Sequence, residues 1–115
     1  MFNNAFFTIN FGSWNTANAT LIASMFSGAT AFNQNIGNWN ISNVASFVYF
    51  MASKTNFNYS ATNLDAIYNG WSALPILQPS IDISFGSIKR TTASTTSKTI
   101  LTSVPNNWII SDGEI

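Results

Sequence analysis

One phrase returns in this chain at an interval of 25 residues, and that interval constrains the fold more than any other feature. Trp14 and Trp39, Asn15 and Asn40, and Asn18 and Asn43 each lie 25 positions apart. Met25 aligns with Phe50, Phe26 with Met51, Phe32 with Phe57, and Asn33 with Asn58 at the same spacing. The first copy is one residue short between Ala5 and Phe11, so Phe7 answers Phe32 and Phe11 answers Ile36. After Asn58 the match fades: Leu64 stands where a third Trp belongs, and Asp65 where a third Asn belongs.

A period of this size is the mark of a stacked array, because one such unit is too small to bury its own apolar face. Stacking lays each Phe, Ile and Met against its copy in the next unit and makes a continuous core. On this register Phe32 and Phe57 are expected to be buried in equivalent places, about 5 Å apart along the stack. The recurring Asn residues suit the turns, since their side chains bond nearby backbone and tolerate left-handed conformations. Within each unit a short strand is expected around residues 38–42, followed by a helical turn around 44–51.

From residue 60 the text changes. "SATNLDAIYNGW" opens with helix-capping residues and sets Leu64, Ile67, Tyr68 and Trp71 at helical spacing. "SIDISFG" alternates Ile81, Ile83 and Phe85 on one face, as a strand does. "TTASTTSKTILTS" predicts a weak helix, since Thr is a poor helix former. "NWIISDG" predicts a short strand and a turn. The expected organisation is therefore repeats over 1–59 (1–24, 25–49 and a partial 50–59), and a capping segment over 60–115. That segment is expected to pack on the last repeat through Leu64, Ile67, Trp71, Ile83, Phe85 and Trp108.

Composition narrows the function classes. Only 7% of residues are charged and the net charge is zero, so nothing suggests a nucleic-acid or anionic-membrane partner. No run approaches the roughly 18 apolar residues of a membrane-spanning helix, so no membrane insertion is expected. The N-terminus lacks a basic region followed by an apolar run, so no signal peptide is read there. Aromatic residues reach 15%, which argues against disorder despite the abundance of Asn, Ser and Thr. The chain has neither histidine nor cysteine. Ser-His-Asp and Cys-His catalysis and ordinary zinc sites are thereby excluded. No catalytic, cofactor or metal residue is assigned, and the chain is not read as an enzyme.

The middle repeat resembles the unit of about 25 residues found in BspA-like surface proteins, first described in mycoplasma lipoproteins. The pattern is carried by Met25, Phe26, Gly28, Ala29, Phe32, Asn33, Gln34, Ile36, Trp39, Asn40, Ser42, Asn43 and Val44. The first copy departs from it, with Asn4 at the Gly position. The tail is similar to the segment that closes such arrays, ending in Trp108, Ile110, Asp112 and Gly113, with Glu114 replacing the last Gly. The resemblance implies an α/β fold: a leucine-rich-repeat-like solenoid of about 2.5 coils, each a short strand plus a helical turn, closed by an α/β cap. It also implies a place on a cell or virion surface and a role in adhesion or recognition. Such arrays have many repeats, so the chain is read as the C-terminal part of a longer extracellular or virion protein, with Met1 either internal or a true start. The alternative is a self-assembling subunit, such as a virion decoration protein or filament protomer.

Two sets of residues are candidates for contact with partners. Trp14, Asn15, Trp39, Asn40 and Asn43 can form an aromatic and amide face for a surface glycan or host receptor, or else pack inside. Phe2, Phe7 and Phe11, with Ile9, form an assembly end, expected to meet protein: upstream repeats or a neighbouring subunit. Asp112 and Glu114 are neighbouring carboxylates that a D-G turn accounts for, Trp71 and Trp108 read as cap packing, and Lys89 and Arg90 read as a solvated loop.

Overall fold

The computed structural model describes residues 11–22, 26, 29 and 31–115. Four short extended segments lie side by side and parallel. Leu21 bridges Ser46, and Phe47 bridges Ile83. Strand β1 (Asp82–Ser84) then pairs with strand β2 (Ile109–Ser111), with Asp82 opposite Ile109 and Ser84 opposite Ser111. Backbone bonds tie the rungs: Ile22 N–H donates to Ser46 O, Met51 N–H to Ser84 O, and Phe85 N–H to Ser111 O. The first step along this row is 25 residues, the interval of the repeated phrase. The second, from Phe47 to Ile83, is longer because a helix lies inside it.

That helix, α1 (Ala61–Ser72), starts where the sequence caps it: the Ser60 hydroxyl accepts the Asn63 N–H at 3.1 Å. Leu64, Ile67, Tyr68 and Trp71 form its buried face. It lies directly on the turn of the preceding repeat. A Cβ on Gly70 would stand 1.9 Å from Gly37 O, and one on Gly37 would stand 2.2 Å from Ala66 O. Only glycine at both places permits this approach. Helix α2 (Thr95–Thr102) follows a short 3₁₀ turn, Thr92–Ser94. Asp65 holds that turn, accepting from Thr91 N–H at 3.0 Å and from the Ser94 hydroxyl at 2.5 Å.

The core is aromatic and runs through the stack. Phe26 and Phe32 stack at 3.6 Å, Phe32 meets Tyr59 at 5.7 Å, and Phe47 meets Trp71 at 5.3 Å. Leu64, Ile67, Trp71, Ile83, Phe85 and Trp108 are all buried.

Four local expectations are corrected. Phe57 is not the partner of Phe32: it is fully exposed at 103%, and Tyr59 takes its place. The cause is a tight turn. Asn58 Oδ1 accepts from Thr55 N–H, and Tyr59 N–H donates to Thr55 O, which swings Phe57 outward. The strand of the second repeat lies at Ser46–Phe47, and residues 38–42 form turns. There Asn40 Oδ1 accepts from both the N–H and the hydroxyl of Ser42, bending the chain. The helical turn expected over 44–51 is replaced by that rung and a turn at Val48–Tyr49, where Tyr49 has φ 55°. Finally, Arg90 is buried rather than solvated, its guanidinium donating to Thr91 O and the Thr95 hydroxyl.

Candidate binding face

Of the indole and amide face anticipated from the sequence, Trp39 lies in the core and the other four residues lie at the surface. Trp14 is 37% exposed and stacks parallel to Trp39 at 6.5 Å, but Trp39 itself is buried. Its Nε1–H donates to Phe11 O at 2.7 Å. Asn15, Asn40 and Asn43 are exposed, yet their amides work within the fold. Asn15 Oδ1 accepts from Ala17 N–H, Asn40 Oδ1 from Ser42, and Asn43 Nδ2 donates to Ala17 O. Of the expected assembly end, Phe11 is buried against Trp14, Phe26 and Phe32. Phe2, Phe7 and Ile9 lie outside the described residues.

Charge is concentrated at one place. Asp65, Lys89, Arg90, Lys98, Asp112 and Glu114 meet around the segment after β1 and the end of β2. Lys98 Nζ pairs with Asp112 at 3.1 Å and Glu114 at 3.2 Å, and the Tyr68 hydroxyl donates to Asp112 at 2.5 Å. Burial pushes the Asp112 carboxyl up, but the bonds from Tyr68, the Glu114 N–H and Lys98 outweigh it and hold it below the usual carboxylate range. The Tyr68 hydroxyl is pushed far above its ordinary value by burial first, and then by Asp112. Asp112 is thus more than part of a turn: it anchors β2 to α1 and α2. Within the cluster Lys98 is the ion-pair partner of both Asp112 and Glu114, while Asp65 and Arg90 are held by hydroxyls and backbone.

Lys54 stands apart from that cluster. It is buried, and its ammonium donates to Ala29 O at 2.6 Å and Phe32 O at 2.8 Å, above the rings of Phe32 and Tyr59. Burial lowers its pKa to about 8. Among the described residues no three His, Cys, Asp or Glu side chains come together as metal ligands.

The open surface is the outward side of the parallel rungs. Phe47 and Ile83 point inward, so alternation turns Ser46, Val48, Asp82 and Ser84 outward. Leu21 and Ile109 flank them, 59% and 62% exposed. Between the second and third rungs lies a cavity of about 380 Å³, bordered by Val48, Tyr49, Ser80 and Asp82. A larger hollow of about 630 Å³ lies beside Gly12, Asn35 and Gly70, without a charged or aromatic side chain in its wall. The sequence reading missed Tyr49, Ser46 and Asp82, although the alternation of "IDISF" already set Asp82 and Ser84 opposite Ile81, Ile83 and Phe85.

The family described as "Mycoplasma protein of unknown function, DUF285" matches residues 1–69. No curated protein and no solved structure matches the chain.

Proposed function

The chain belongs to the family described as Mycoplasma protein of unknown function, DUF285, and on that footing we propose that it is a non-enzymatic recognition module displayed on a surface. In this reading the four parallel rungs are turns of a short leucine-rich-repeat-like solenoid of the BspA type, and the segment after residue 60 closes it. The module adheres to protein or glycan partners outside the cell, as part of a longer array.

The observation that carries the reading is the outward row Leu21, Ser46, Asp82 and Ile109. Its inward neighbours Ile22, Phe47, Ile83 and Ile110 supply the packing. Evenly spaced side chains on such a face form an extended binding surface. Histidine and cysteine are missing from the sequence, and three of its four acids are bonded inside the fold. Both facts weigh against chemistry.

A second reading, self-assembly into a decoration layer or filament, is favoured by the exposed Leu21, Tyr49 and Phe57 in a chain of so little charge. Two measurements test these readings. Protease treatment of intact cells that express the protein should remove it, whereas full protection of the chain would overturn surface display. Sedimentation in dilute solution should give a monomer, and ordered oligomers there would favour the assembly reading.

A further inference from the structure

Resting on the recognition reading above, we propose that the cavity between the second and third rungs binds a neutral saccharide, with Asp82 accepting its hydroxyls and Tyr49 stacking on its ring. The cavity, about 380 Å³, has the size of a small-ligand site. Its floor is set by register. Phe47 opposite Ile83 brings Ser46 beside Asp82 and Val48 beside Ser84, on strands roughly 4.8 Å apart. Tyr49 and Ser80 also line the cavity.

Three observations single out this place. Asp82 is exposed and, among the described residues, is the one acid with neither an ion pair nor a side-chain hydrogen bond; Asp65, Asp112 and Glu114 all have partners. A chain that ties up every other carboxylate leaves this one facing a cavity. Next, Tyr49 and Ser80 adopt φ of 55° and 59°. Left-handed backbone is costly for side chains other than Gly, Asn and Asp, and such strain gathers at ligand sites. Among the described residues the other two non-glycine residues in that region, Asn107 and Glu114, do not line the cavity, so half of these strained positions border it. Finally, Tyr49 is 68% exposed, its ring displayed rather than packed.

The lining decides the class of ligand. Ser46 and Ser80 offer hydroxyls that both donate and accept, Ser84 Oγ already accepts from Gly86 N–H and keeps its O–H to donate, and Asp82 accepts two bonds from vicinal hydroxyls. The phenol ring presents an apolar face to sugar C–H groups and a polar tip to water. A lysine or arginine from a partner would pair with Asp82 and donate to serine oxygens, but it has no acceptor for the serine O–H groups. A polyhydroxylated ring meets all of these groups at once.

The test is a backbone-amide NMR titration of the whole chain with the methyl glycosides of glucose, galactose, N-acetylglucosamine and N-acetylgalactosamine, each at millimolar concentration. At least one should shift Ser46, Asp82 and Ser84. Its affinity should fall about tenfold or more in Asp82→Asn, which loses a charge-assisted acceptor. Tyr49→Gly should lose binding as well. Glycine adopts a positive φ freely, so this variant removes the ring while keeping the fold, and its spectrum reports that directly. Silence toward all four glycosides, shifts confined to other residues, or affinity unchanged in both variants would overturn the site. So would a response at these residues to N-acetyl-lysine methylamide alone, which would make the occupant a cationic partner. Protease accessibility on cells is read independently. A displayed protein inert to the glycosides loses only the saccharide site, while a protein sealed inside the cell loses the recognition reading.

Discussion

The indole N–H of Trp71 reaches back to the carbonyl of Ile36 at 3.2 Å. One repeat earlier, Trp39 makes the same bond to Phe11, at 2.7 Å. Phe11 and Ile36 hold the same place in their copies, so Trp71 is the third tryptophan of the repeat, displaced along the chain by α1. Trp71→Phe and Trp39→Phe each remove one donor to a buried carbonyl and should cost about 1–3 kcal/mol. Trp71→Ala, which also empties the space between Phe47 and Phe50, should cost about 3–5 kcal/mol. Urea denaturation checks both: the midpoint should fall with an unchanged slope.

The register at the third repeat makes opposite demands on two neighbouring aromatics. Tyr59 is buried on Phe32, and its hydroxyl donates to Gln34 O at 2.7 Å, while Phe57 is in solvent. Tyr59→Ala and Phe32→Ala should each cost about 3–5 kcal/mol. Phe57→Ala should stay within about 0.5 kcal/mol of the parent. A Phe57 variant as damaged as the Tyr59 variant would contradict the register.

Lys54 sets an alkaline signature. Its folded pKa, lowered to about 8 by burial, lies below the ordinary 10.5 of the unfolded chain. Between those values the unfolded state binds more protons, so this residue makes stability rise with pH. The rise should be visible from about pH 8 to 10. Beyond that the buried hydroxyls of Tyr59 and Tyr68, whose pKa values burial pushes far up, reverse the slope as their unfolded counterparts ionise near pH 10. Lys54→Met should lower stability at neutral pH by removing two hydrogen bonds, and flatten the curve between pH 8 and 10. Thermal midpoints across this range decide it.

Asp112 sets the acid signature, with the opposite arithmetic. Its folded pKa lies below the ordinary 3.8, so its contribution is complete above that value and is lost as pH falls through the folded pKa. Acid unfolding of the parent should begin below about pH 4. Asp112→Asn should be less stable at neutral pH and lose less on acidification, because the titrating group is gone. Parallel acid titrations followed by tryptophan fluorescence provide the comparison.

What depends on neighbours along the chain was legible in advance. Ser60 and the spacing of Leu64, Ile67, Tyr68 and Trp71 read as α1, and Ile81, Ile83 and Phe85 read as one face of β1. What depends on competition between turns was not. The Asx turn at Asn40 moved the second rung to Ser46–Phe47, and with it the outward face from Trp39 to Tyr49 and Asp82. The turn at Thr55–Asn58 exchanged Phe57 for Tyr59. Trp71 was hidden by the interposed helix, because a fixed interval cannot register a repeat that has been stretched. Arg90 was read by charge alone, yet its guanidinium is held by its own neighbours Thr91 and Thr95, whereas the burial of Lys54 depends on carbonyls supplied from distant segments.

The tryptophan bonds also give the stack a direction. Each indole is a donor supplied by the later segment, and each carbonyl an acceptor supplied by the earlier one. A repeat copied whole within the gene would carry both halves of this fastening, a donor for the unit behind it and an acceptor for the unit ahead. Such a duplication needs no compensating change on either side. A duplication beginning between the acceptor and the donor would keep that pairing only if it remained in phase with the repeat. The fastening therefore survives both an increment of a whole unit and the insertion of α1, which delays the donor along the chain without losing its acceptor.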